Sequence, residues 1–294
     1  MTVPLTVHRI TPYDPADRDE RGHYRGEVSD SSDQGPVEAA QLAVVRAFAE
    51  AHGVAGLEIR DPEGHGLAEP EAYHDGLCLP LDTALELVRG MIREDDGLWC
   101  RLEADGFFVH VGYDRYVYVG TAGPVDAPVA LAAALGLFPE RIDASPYEPE
   151  PPTGPARPAD DAFWRALPSA APALLQETWL AGASRWHRIT PGAVDTLRAA
   201  VFPRAELTVR PDLLTTPEAA LAALAGTDGA QVVWEQPDGR LTGRPAYRED
   251  HPELVPLLHA ARAAAVLPED ARPLLTAVMP DADGVVRSRL RPHP

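Results

Sequence analysis

The chain has 294 residues and carries 45 Asp and Glu against 26 arginines, with no lysine, for a formal net charge of −19. That balance excludes unaided nucleic-acid binding, which needs clustered cations along a phosphate track, and docking on an anionic membrane. A 45% hydrophobic content with 24% charged residues excludes a wholly disordered chain, and the length corresponds to about two domains.

In chain order, Leu5–Thr11 and Tyr24–Ser29 read as strands. Pro36 to His52 reads as a helix with Ala39, Leu42, Ala43, Val45 and Phe48 on one apolar side. A strand at Gly56–Arg60 turns at Pro62-Glu63-Gly64. Helical spacing returns over Leu81–Arg93, with Asp82 and Thr83 near the start and Leu85, Val88 and Ile92 facing inward. Leu98–Glu103 and Phe107–Val111 form a hairpin through Asp105-Gly106, a favoured two-residue turn. The most apolar stretch, Ala127 to Phe138, falls short of the roughly 20 residues of a membrane span.

Ser145–Asp161 contains six prolines, which preclude helix and central strand and favour a spacer. It separates an acidic module, residues 1–145, from a module at residues 162–294, with residues 146–161 as the linker. The second module reads as strand Ala205–Arg210, helix Pro217–Ala225, strand Gln231–Glu235, helix Pro252–Val266 and a hairpin across Asp283-Gly284.

The two halves echo each other. Val7-His8-Arg9-Ile10-Thr11-Pro12 recurs as Trp186-His187-Arg188-Ile189-Thr190-Pro191, and Pro36-Val37-Glu38-Ala39-Ala40 as Pro217-Glu218-Ala219-Ala220. Further echoes in the same order join Ile59–Gly64 to Trp234–Gly239, Pro70–Asp75 to Pro245–Asp250, and Leu79-Pro80-Leu81 to Val255-Pro256-Leu257. A spacing this long indicates domain duplication rather than a solenoid. The expected fold is α+β, in two similar tandem modules, each a mostly antiparallel sheet packed by two or three helices.

Motifs of familiar chemistry fail. Without lysine there is neither a P-loop nor a Schiff base. Gly182-Ala183-Ser184-Arg185-Trp186 lacks the second glycine of a nucleophile elbow and follows a segment read as helix. Asp281-Ala282-Asp283-Gly284 lacks the later ligands of a calcium loop. Cys78 and Cys100 sit among apolar neighbours and read as core thiols of a reduced, cytoplasmic protein, with no secretory pattern at residues 1–9. No cofactor or metal is indicated. His8-Arg9 and His187-Arg188 read as scaffold, because alternation sends adjacent side chains to opposite faces of a strand.

Two segments stand out as partner surfaces. Glu58 to Glu86 holds Glu58, Asp61, Glu63, Glu69, Glu71, Asp75, Asp82 and Glu86 beside His65 and His74, a solvated acidic loop or partner surface, with a carboxylate–histidine site for acid–base chemistry or a cation as the alternative. Phe107–Gly120 places Phe107, Val109, Val111, Val117 and Val119 on a core face, and Phe108, His110, Tyr116 and Tyr118 on the other. Tyr113 and Asp114 lie in the intervening turn, and such a tyrosine-rich face suits protein recognition unless a helix covers it. Residues 1–145 carry 26 carboxylates and 11 arginines, a net of −15, whereas residues 146–294 carry 19 and 15, a net of −4. The leading expectation is therefore a non-catalytic protein that binds a basic protein partner through its first module, such as an inhibitor or immunity-type protein against a toxin or nuclease. The alternatives are an enzyme, a hydrolase or transferase with a carboxylate/histidine site, and a scaffold or assembly protein.

Overall fold

The computed structural model describes residues 4–21, 25, 35–64, 66–95, 97–112, 115–148, 157–190, 192–212, 215–268 and 271–288. The chain divides into two compact units, Met1–Pro151 and Pro152–Pro294. Among the described residues all sheet pairing between named strands is antiparallel and helices pack on the sheets, so the fold is α+β.

The first unit runs β1 (Thr6–Thr11), α1 (Gly35–Ala51), β2 (Gly56–Gly64), β3 (Cys78–Pro80), α2 (Leu81–Arg93), β4 (Leu98–Ala104), β5 (Phe107–Val111), β6 (Val117–Thr121), α3 (Asp126–Ala134) and β7 (Phe138–Ile142). Its strands form one seven-stranded sheet, ordered β3-β2-β4-β5-β6-β1-β7. One face carries Ile10, Ile59, Cys100, Leu102, Val109, Val111, Val117 and Val119, which join Val44, Val45 and Phe48 of α1 and Leu85, Val88 and Ile92 of α2 in a single core. Burial of this apolar area is the main force holding helices to sheet. Glu38 of α1 accepts hydrogen bonds from Arg89 and Arg93 of α2 at 2.7–3.0 Å, which pins the helix pair.

The other face carries a small cluster, Val7, Phe108 and Tyr118, with Leu5, Tyr116, Ile142 and Tyr147 packed against it. Here Gly120 stands opposite Phe108, and the ring lies where a side chain would sit: a Cβ on Gly120 would fall 2.0 Å from Phe108 Cε1. Gly120→Ala is therefore expected to cost about 1–3 kcal/mol through overpacking. Urea denaturation checks this against Gly192→Ala, where a methyl meets nothing within 4 Å and the change is expected to stay within about 0.5 kcal/mol.

The second unit runs α4 (Asp161–Ala170), β8 (Ala173–Leu180), β9 (Ala183–Ile189), α5 (Val194–Ala200), β10 (Glu206–Pro211), α6 (Pro217–Ala225), β11 (Gly229–Glu235), β12 (Leu241–Tyr247), α7 (His251–Ala260), β13 (Ala263–Pro268) and β14 (Leu275–Val278). Its strands form a four-stranded sheet, β14-β10-β8-β9, and a three-stranded sheet, β12-β11-β13. The sheets meet through Leu174 and Trp186 against Val233, Ala265 and Leu267. The far side of the smaller sheet, with Val232, Trp234 and Ala264, packs on α6 and α7 through Ala220, Leu224, Leu254 and Leu258.

One run of elements recurs between the units. Helix, strand, strand, helix, strand occurs as α1-β2-β3-α2-β4 with strand order β3-β2-β4, and again as α6-β11-β12-α7-β13 with order β12-β11-β13. Outside that run the units differ. β1 lies inside its sheet between β6 and β7, whereas β9, with the echoing sequence, lies at an edge beside β8.

Several expectations need correction. The buried side of α1 is Ala40, Leu42, Val44, Val45, Phe48 and Ala49, while Ala39 is exposed. Pro62-Glu63-Gly64 is not a turn: β2 continues through an irregularity at Arg60/Glu63, with Asp61 at φ 49°, and pairs with β4 to Gly64. The helix expected to reach Val266 ends at Ala260, because Ala263–Pro268 pairs with β11 as a strand. Asp283-Gly284 forms a turn without flanking strands among the described residues. Gly182 follows a strand, β8, and opens a hairpin into β9. Cys78 is exposed, and only Cys100 is buried, where desolvation pushes its thiol up to about 12. Apart from Arg25, the strand expected at Tyr24–Ser29 lies outside the described residues.

Candidate functional site

The open face of the first unit's sheet is built by strand register. Arg60, Arg101, His110, Tyr118, Arg9 and Glu140 stand opposite one another on successive strands. The adjacent row is Glu58, Glu103, Phe108, Gly120, Val7 and Ile142. Two-residue periodicity puts both rows on the side away from α1 and α2.

Every arginine in these rows is paired. Arg60 Nε donates to Asp75 Oδ1 at 2.9 Å, and its Nη1 lies 3.3 Å from Glu58. Arg101 donates to Glu103 at 2.7 Å and to Glu148 at 3.4 Å, with its guanidinium 3.5 Å above the Phe108 ring. Arg9 and Arg18 both donate to Glu140 Oε2, at 2.6 and 3.3 Å, and both lie over Tyr116, at 5.7 and 6.0 Å from its centroid. Tyr147 lies against His110 and Tyr118, with ring centroids 5.0 and 5.5 Å away. Burial, helped by the Arg101 charge, pushes the His110 imidazole down to about 4, so it is neutral near pH 7.

This face gathers Glu58, Phe108, His110, Tyr116 and Tyr118, and Asp75 joins them through Arg60. Phe108 and Tyr118 are buried at 2% and 1% exposure, beneath Arg101 and beside Tyr147 rather than beneath a helix. α3 packs instead beside α1, with Ala132 in the main core. Asp75 is fully buried and also accepts from the Asp61 N–H at 3.2 Å. Glu63, Glu69 and Glu71 are exposed. His65, Tyr113 and Asp114 lie outside the described residues. Sequence reasoning missed Arg9, Arg60, Arg101, Glu103, Glu140 and Tyr147. The first four were within reach, since the same alternation that orients Phe108 fixes Arg101 and Glu103 across the Asp105-Gly106 turn.

The second unit holds a different polar cluster. Glu177, fully buried on β8, accepts from Arg185 Nε and Nη2 at 2.5 and 3.0 Å and from the Phe202 N–H at 2.7 Å, and lies 2.8 Å from His187 Nε2. Burial alone would raise this carboxyl, but the hydrogen bonds from His187, Arg185 and Phe202 hold it below the ordinary carboxylate range. The carboxylate–imidazole pair has the form of a general-base dyad. Alternation, however, sends the nearby hydroxyls, Ser184 and Thr178, to the opposite side of the sheet. His8, at the echoing position, instead lies on the helix side of its sheet, 5.8 Å from the Phe48 ring. Among the described residues no group of three His, Cys, Asp or Glu is placed to hold a metal ion.

No family model, curated protein or solved structure matches the chain.

Proposed function

We propose that the chain is a non-catalytic protein-binding protein whose acidic first unit engages a basic protein partner, as an inhibitor or immunity-type protein does. The observation that carries this reading is how charge is used. Among the described residues, at least eight of the eleven arginines of residues 1–145 are bound in ion pairs within the unit. Residues 1–145 carry a net of −15, and Glu63, Glu69 and Glu71 are exposed in the β2–β3 stretch. A field of one sign steers a complementary protein and accelerates encounter. It also repels phosphate backbones and anionic lipid, and among the described residues no helix is long and apolar enough to cross a membrane.

The test is cross-linking capture on the full chain at 50 and 500 mM NaCl, with Glu63→Arg/Glu69→Arg/Glu71→Arg as the comparison. The expected result is a partner of net positive charge, held at low salt and lost at high salt and with the triple variant. A partner held equally by the triple variant, or the absence of any salt-sensitive partner, would overturn the reading.

A further inference from the structure

The segment after β7 does not leave the first unit directly. Ser145 to Glu148 forms a β-turn, with the Glu148 N–H donating to the Ser145 carbonyl at 3.1 Å and the Tyr147 N–H to Ser145 Oγ at 3.2 Å. Pro146 occupies the second position, where its fixed φ favours the turn. β7 is an edge strand, yet Tyr147 reaches inward to His110 on β5 and Tyr118 on β6, and Glu148 reaches Arg101 on β4. The turn therefore spans the open face from its edge to its centre, covering Phe108 and Tyr118 there. Its hold is light. Glu148 is half-exposed and 3.4 Å from Arg101, which already holds Glu103 at 2.7 Å.

We propose that the open face over β4, β5 and β6 is a receptor for a turn presenting a tyrosine followed by a carboxylate. Ser145–Glu148 is its resident occupant, displaced when a protein partner offers the same chemistry. The receptor supplies an aromatic floor in Tyr118 and His110 and a guanidinium in Arg101 preorganised on Phe108. Aromatic side chains and arginine are the groups that dominate protein recognition sites. A tethered occupant acts as a competitor at an effective concentration on the order of millimolar, so the site stays shut to weak ligands and opens to a partner that exceeds this threshold. This goes beyond the acidic-surface reading and rests on different residues.

The test uses the full chain and a fluorescein-labelled peptide with the sequence of residues 143–150, followed by anisotropy. Tyr147→Ala/Glu148→Gln is expected to bind the peptide one-to-one and at least tenfold more tightly than the unsubstituted chain. Adding Arg101→Gln, or replacing the peptide tyrosine by alanine, is expected to lose at least tenfold. Circular dichroism reports whether the double variant folds. If it does not, Glu148→Gln alone, at a half-exposed position, serves in its place with an expected gain of about threefold. The proposal is overturned if opening the face brings no gain, or if the alanine peptide binds as well as the tyrosine peptide. Glu63→Arg/Glu69→Arg/Glu71→Arg is expected to leave peptide binding within twofold, which separates this result from the outcome for the basic partner.

Discussion

Replacing Glu177 by alanine is expected to cost the second unit about 3 kcal/mol, because removing one member of a buried ion pair strands its partners. Arg185 and His187 both lean on this carboxylate, and the Phe202 N–H loses its acceptor too. Arg185 also stacks over the Phe202 ring at 4.7 Å, so the loss spreads to the packing between β9 and the stretch after α5. Glu177→Leu/Arg185→Leu is expected to cost clearly less than the sum of the two single changes, since the pair then leaves no uncompensated charge. The pH dependence has a definite sign. A carboxyl held below its ordinary value contributes stability that is present above the unfolded value of 4.5 and is lost as pH falls through the depressed folded value. Thermal melts from pH 7 down to pH 3 should therefore fall less steeply for Glu177→Ala than for the unsubstituted chain. Equal slopes would show that the network contributes nothing to acid unfolding.

Glu206→Gln is expected to do the opposite and stabilise. Glu206 is buried on β10, facing the same side of its sheet as Thr208 and Arg210, and burial pushes its carboxyl up to about 7 despite both neighbours. The unfolded carboxyl ionises near 4.5 while the folded one keeps its proton, so stability falls steadily between those values and then levels off. At about 1.4 kcal/mol per pH unit the loss approaches roughly 3 kcal/mol above pH 7. Glutamine keeps the shape and removes the ionisation. Urea unfolding at pH 8 should show Glu206→Gln more stable by about 2–3 kcal/mol, with the gain gone at pH 4. A destabilised variant at pH 8 would mean that the ionised carboxylate holds a partner in the folded chain.

Where local sequence and tertiary pairing agree, the chain was readable. α2 begins and ends where its apolar spacing does, at Leu81 and Arg93, and the two faces of β5 and β6 separate as alternation requires. Where they conflict, pairing wins. Ala173–Leu180 and Ala263–Pro268 are rich in alanine and leucine, strong helix formers, yet both are strands because β10 and β9 flank the first and β11 holds the second. The candidate site was half legible. Parity exposed its aromatic row, and the arginines of that row follow from the same register. Tyr147 did not follow, because proline density reads as spacer, and only the folded sheet shows that the first turn of that segment is seated on it.

The acidic surface of the first unit is most directly tested by association kinetics with the captured partner across 25–400 mM NaCl, using the full chain throughout. The rate constant is expected to fall steeply with salt, and at least tenfold at low salt when Glu63, Glu69 and Glu71 are changed to arginine. Glu218→Arg/Glu249→Arg, exposed positions in the second unit, should change it less than twofold. A rate insensitive to salt, or equally sensitive to substitutions in either unit, would contradict a partner site on the acidic unit.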